Sequence, residues 1–137
     1  MNDAEQETIL IIHPDRAASL SIQCALENAG FRIVEAARGE HILDLLGEVN
    51  PCLVLLDWDQ AGQSALGLVY EIRKSAYFSN IPLILTAREL SCDELVLALE
   101  AGTDLCLEGS PAPNELVARV RALLRRVRTR QPHSFRI

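Results

Sequence analysis

The chain has 137 residues, 49% hydrophobic and 23% charged, the size and balance of one globular domain, which excludes a disordered or fibrous chain. No apolar run approaches the length needed to span a bilayer, and residues 1–7 are polar and acidic rather than a secretory leader, so a cytoplasmic protein without membrane contact is expected. Residues 1–118 hold all 19 acidic residues against six basic ones, whereas residues 119–137 hold seven arginines and no acid. An acidic body argues against nucleic-acid binding by the domain itself, because phosphate contacts need clustered cations.

In chain order, Thr8 to His13 is a continuous β-branched run and predicts a strand buried on both faces. Pro14 ends its ladder, and Asp15 caps a helix from Arg16 to Ala29 with Leu20, Cys24 and Leu26 among its apolar positions and Gly30 as its stop. A strand over Phe31 to Glu35 and a helix over Glu40 to Val49 follow. Cys52 to Leu56 is a third buried strand, and after a Gly- and Gln-rich loop comes a helix over Leu66 to Ser75. Pro82 to Thr86 is the fourth strand. Ser91 with Glu94 forms a capping box opening a helix that ends at Gly102. Leu105 to Leu107 is a short fifth strand, and Asn114 to about Arg128 a last helix entered through Pro111 and Pro113. Cys24, Cys52, Cys92 and Cys106 form no C-x-x-C pair, so buried, reduced thiols are expected rather than a zinc site or disulfide framework.

Alternating strands and helices with short loops imply right-handed crossovers and a parallel sheet covered on both faces, an α/β doubly wound domain over residues 8–128. Residues 1–7 read as a tail and 129–137 as a tail or the start of a linker. In such sheets the working site lies outside the carboxyl ends of the strands. Here those ends are His13, Pro14 and Asp15, then Asp57, Thr86, and Glu108 with Gly109. Glycine-rich phosphate motifs, a serine elbow and metalloprotease signatures are missing, so no enzyme is indicated.

Leu55 to Trp58 (L-L-D-W), Ile81 to Arg88 (I-P-L-I-L-T-A-R), Leu99 to Asp104 (L-E-A-G-T-D) and Asn114 to Arg126 (N-E-L-V-A-R-V-R-A-L-L-R-R) together resemble the CheY-like receiver domain of two-component response regulators. The likeness is greatest to the OmpR/PhoB subfamily and covers about Ile9 to Arg126. It implies a flavodoxin-like (βα)5 fold with five parallel strands and helices on both faces. It also implies that Asp57 stands where a histidine kinase places phosphate, and that Thr86 and Cys106 stand at the switch positions.

An aspartate serves as a phosphoryl acceptor only if the incoming charge is neutralised. Receivers do this with Mg²⁺, held by an acidic pair after the first strand, and with a lysine after the fifth. Those positions align here with His13, Pro14 and Gly109, leaving Asp15 one residue late. The only lysine is Lys74, far along the chain. A degenerate pocket of His13, Pro14, Asp15, Asp59, Glu108 and Gly109 is therefore expected around Asp57, holding no metal, with phosphorylation impaired or absent. His13 is expected to hydrogen-bond Asp57 and, near Asp59 and Glu108, to be able to gain charge as pH falls.

Subfamily receivers pair through the fourth helix, fifth strand and fifth helix using salt bridges. Asp104, Glu115 and Arg119 match that network, whereas Leu95 and Leu105 stand where charges are found. The exchange predicts a homodimer on this face that does not wait for phosphate, or else two leucines that extend the core. Three functions fit. One is an atypical receiver regulating transcription through a downstream DNA-binding domain. The others are a working phosphoacceptor in which Asp15, Asp59 or His13 compensates, and a stand-alone interaction module. The arginine-rich segment from Arg119 to Arg130 reads as a solvated helix face rather than a DNA contact.

Overall fold

The computed structural model describes residues 6–59, 64–109 and 111–130. Five strands, β1 (Thr8–Ile12), β2 (Arg32–Ala36), β3 (Leu53–Asp57), β4 (Leu83–Ala87) and β5 (Leu105–Glu108), alternate with five helices. These are α1 (Arg16–Asn28), α2 (Ile42–Val49), α3 (Ala65–Lys74), α4 (Cys92–Ala101) and α5 (Pro113–Arg130). All strand pairs are parallel, in the order β2-β1-β3-β4-β5. This is the expected doubly wound (βα)5 sheet.

The continuous apolar runs behave as a two-faced parallel sheet requires, and every residue of β3 and β4 is buried. Alternate side chains feed two cores. Leu10, Ile12, Val54, Leu56, Leu83 and Leu85 meet α2, α3 and α4 through Ile42, Leu46, Leu68, Val69, Ile72 and Ala98. On the opposite face Ile9, Ile11, Leu53, Leu55, Ile84 and Leu107 meet α1 and α5 through Leu26, Leu116, Val120, Leu123 and Leu124. At fully buried leucines and isoleucines in either layer, truncation to alanine costs about 2–5 kcal/mol.

Caps set the helix starts. Asp15 accepts from the Ala18 amide at 3.2 Å, and Ser64 plays the same part for α3. The expected capping box opens α4, with Ser91 and Glu94 bonding each other's backbone, and Gly102 closes it at φ +118°.

Three expectations need correction. In α1 the inward stripe runs through Ser19, Ile22 and Leu26, so Leu20 is half exposed and Cys24 is exposed. The periodicity was right but its phase was not, because Ser19 is drawn inward by its hydrogen bond to Glu35. Cys92 is also exposed at the start of α4, and Cys52 and Cys106 are partly buried, so only two of the four thiols are even partly enclosed. Burial pushes the Cys52 thiol up to about 12. Finally, α2 starts only at Ile42, after His41 in a left-handed conformation, while α5 runs on to Arg130 through two positions expected to be tail. Of the expected tails, Gln6 and Glu7 are ordered against the domain. Glu7 hydrogen-bonds Arg32 through its backbone and pairs with Arg128 through its carboxylate. Residues 1–5, 60–63 and 131–137, including most of the loop after Asp57, lie outside the described residues.

The amino ends of β4 and β5 are tied by one side chain. Arg73 donates to the carbonyls of Gly102 (2.9 and 2.7 Å), Ser79 (3.0 Å) and Ile81 (2.6 Å), and to the Asp104 carboxylate (3.0 Å). Asp104 in turn accepts from the Leu83 amide at 2.8 Å. A planar guanidinium can serve so many acceptors at once because its donors form a fixed fork.

Candidate functional site

Strand order reverses at β1, which has β2 on one side and β3 on the other, so a crevice opens above the carboxyl ends of β1 and β3. A cleft of about 470 Å³ lies there, and its walls include His13, Asp15, Asp57, Asp59, Thr86 and Gly109. Pro14 also lines it, as do Arg88 and several residues of α1 and the β5–α5 connection.

Asp57 is the last residue of β3 and pairs in register with Thr86 of β4. Strand register therefore sets the carboxylate beside the hydroxyl. Thr86 Oγ1 lies 3.4 Å from both Asp57 Oδ1 and the Leu56 carbonyl. The other carboxylate oxygen accepts from the Asp59 amide at 3.1 Å, and the Trp58 amide donates to the Thr86 carbonyl at 2.7 Å. On the opposite side His13 Nε2 stands 3.4 Å from Asp57 Oδ1. Burial raises the Asp57 carboxyl above its ordinary value, offset in part by His13, the Asp59 amide and Thr86 and reinforced by the Asp59 charge.

His13 is held from behind. Its backbone amide donates to the Ala36 carbonyl, and Nδ1 accepts from the Asp15 amide at 3.0 Å. A ring nitrogen that accepts carries no proton, so neutral His13 bears its hydrogen on Nε2, facing Asp57. The structure thus places His13 beside Asp57, with Nε2 3.4 Å from Oδ1.

Glu108 departs from expectation. Its carboxylate accepts from the Leu90 amide at 2.9 Å, at the approach to α4, and it does not line the cleft. Cys106 also lies outside the cleft lining and packs against the α2–α3–α4 core, its thiol raised by burial and by Glu108. Gly109, where a lysine is expected by resemblance, has φ +73°, a backbone that suits glycine. Arg88 was missed as a wall of this cleft. The signal was available, since it lies two residues beyond Thr86 and must emerge at the same sheet edge. Its side chain is exposed and, among the described residues, forms no ion pair within 4 Å.

Mg²⁺, implied by the resemblance, needs close to six oxygen ligands in octahedral geometry. One oxygen of the Asp15 carboxylate caps α1, and His13 offers the ion a ring nitrogen in place of an oxygen. No group of three or more His, Cys, Asp or Glu side chains is suitably placed for a metal among the described residues. The residues present do not fit the ion.

On the expected dimer face, Asp104 is turned to Arg73 and Leu83 rather than to Arg119. Arg119 is not short of a partner, because it pairs with Glu115 along α5 at 3.2 Å. Leu105 packs on the α1–α5 core and Leu95 is partly buried, while Val96, Leu97 and Leu99 of α4 are about half exposed. Among the described residues, no helix is long and apolar enough to cross a membrane.

No protein-family model matches the sequence. The chain is 32% identical over 120 residues to the phosphate regulon transcriptional regulatory protein PhoB of Pseudomonas aeruginosa, covering 88% of this chain and 52% of that protein. To the DNA-binding response regulator MtrA of Mycobacterium tuberculosis it is 31% identical over 124 residues, 90% of this chain and 53% of MtrA. It thus spans about half the length of these relatives. Among solved structures, the BeF3-activated N-terminal receiver domain of Klebsiella pneumoniae RstA superposes with a TM-score of 0.79 at 25% identity, over 86% of this chain and 98% of that one. A putative response regulator from Chloroflexus aurantiacus gives 0.83 at 24% identity, over 88% and 99%, a likeness of fold. With Asp57 and Thr86 at the carboxyl edge of a β2-β1-β3-β4-β5 sheet and these relatives, the chain belongs to the response-regulator receiver domains, on the side of the family that includes PhoB.

Proposed function

We propose that this is an atypical receiver that signals through protein contacts, as the regulatory part of a transcription regulator, with phosphorylation of Asp57 impaired or absent. The observation that carries this reading is the surroundings of Asp57. Its carboxyl is raised by burial, its neighbour after β1 is a histidine where the resemblance places an acidic residue, and Gly109 brings no charge. Loss of one electrostatic partner typically slows a reaction about 10²–10³-fold. Arg88 is the cation in the cleft wall that works against this reading. The test is acetyl phosphate with Mg²⁺ followed by intact-mass measurement. Wild type is expected to stay unmodified. A stable gain of one phosphoryl group, lost in Asp57→Asn, would instead make it a working phosphoacceptor served by a histidine kinase.

A second copy of the chain is proposed as partner on the α4, β5 and α5 face. The apolar side of α4 is uncovered at Val96, Leu97 and Leu99. The same helix carries Asp93, Glu94 and Glu100, and α5 carries Arg119 and Arg126, whereas Arg121 turns to the Ala29 carbonyl at the end of α1. A two-fold axis that sets α4 of one copy against α5 of the other therefore opposes unlike charges. Leu99→Glu is a cleaner probe than Leu105→Asp, because Leu105 also belongs to the core. Sedimentation equilibrium should show a dimer that Leu99→Glu dissociates. DNA contact is proposed only for a domain outside these residues.

A further inference from the structure

The β1 edge of the cleft contains a device that goes beyond missing ligands. In its neutral form His13 is set in one tautomer by the Asp15 amide, with Nε2 3.4 Å from the Asp57 oxygen where a cation would sit. Both side chains are largely enclosed, at 17% and 12% exposure, so the contact lies mostly away from solvent. The second Asp57 oxygen is taken by the Asp59 amide. A divalent ion arriving at Asp57 would have to expel the Nε2 hydrogen. To ligate through Nε2 itself, the ring would have to move its proton to Nδ1, against the Asp15 amide hydrogen.

We propose that His13 is a resident substitute for the divalent ion: a positioning residue whose Nε2–H holds Asp57 against Thr86 and keeps the cleft closed to Mg²⁺ and Mn²⁺. Together with Thr86, the imidazole gives the carboxylate partners on two sides, the orientation that a bound ion would otherwise set. This rests on the receiver reading, but it concerns ion binding and not phosphate transfer. A protein that took up phosphate while binding no ion would overturn the reading above and leave this one standing.

Trp58, adjacent to Asp57, reports on the site. Its emission is titrated with Mg²⁺ and Mn²⁺ to about 20 mM in wild type, His13→Asp and Asp57→Asn, with circular dichroism confirming that each variant is folded. Wild type should show no saturable change, and His13→Asp, which puts an oxygen where the N–H stands, should show one. Saturable binding by wild type that is lost in Asp57→Asn would overturn the proposal, as would a folded His13→Asp that binds no better than wild type. Independently, long-range ¹H–¹⁵N correlation on the wild-type rings should find His13 with its proton on Nε2. Protonation at Nδ1 would also defeat it.

Discussion

The two ends of the sheet are built to different standards. At the amino ends of β4 and β5, Arg73 and Asp104 join α3, the β4 approach and the close of α4 by contacts of 2.6–3.0 Å. At the carboxyl ends, Asp57 meets His13 and Thr86 at 3.4 Å, and burial works against its charge. The closed network holds the architecture, while the looser one holds a carboxylate whose ionised form burial disfavours. Working sites are often held at some expense of stability, and that expense is measurable here.

The largest effect should come from breaking the tight end. Arg73→Ala leaves three carbonyls and the Asp104 carboxylate without their donor and should cost about 3–4 kcal/mol in urea unfolding. Arg73→Lys should recover only part of this, because one ammonium cannot replace the fork. Next comes Gly102→Ala, which combines φ +118° with a Cβ only 2.9 Å from the Arg73 side chain. About 1–2 kcal/mol is expected, and less in the Arg73→Ala background if the clash is the cause.

The opposite sign is expected at the loose end. Because folding raises the Asp57 carboxyl, the native state binds more protons than the unfolded chain between the ordinary aspartate value and the raised one. This group's contribution to stability therefore falls as pH rises through that window, and the ionised form is a net cost at neutral pH. Asp57→Asn should raise the thermal midpoint at pH 7, with the advantage shrinking as pH falls toward the ordinary aspartate value. A midpoint lowered at pH 7 would show that the two ends do not differ in the way described. The smallest effect belongs to Thr86→Val, which removes two 3.4 Å hydroxyl contacts and should change stability by about 1 kcal/mol or less.

Much of the sheet was legible because its signals are local. Runs such as C-L-V-L-L at Cys52 to Leu56 read as buried strands, and Asp15, Ser91 with Glu94, and Gly102 mark helix ends within a few residues. Asp57, Thr86 and His13 were legible as neighbours once their strand ends were known, since register does the rest. What stayed hidden depends on partners distant in sequence. Nothing local ties Arg73 to Asp104, 31 positions away, so Asp104 was read only as a member of the salt-bridge network of the dimer face. The phase of α1 was lost for the same reason, because the pull on Ser19 comes from Glu35 on another strand. The His13 tautomer needed the position of one backbone amide.

The distribution of thiols offers a use of its own. Cys24 and Cys92 are accessible on opposite sides of the sheet, while Cys52 holds its proton up to about 12 and is therefore a poor nucleophile at neutral pH. Maleimide dyes will thus sort the native cysteines without any engineering. Self-quenching from a dye at Cys92, and none from one at Cys24, would tell an observer which broad side of the molecule meets its twin.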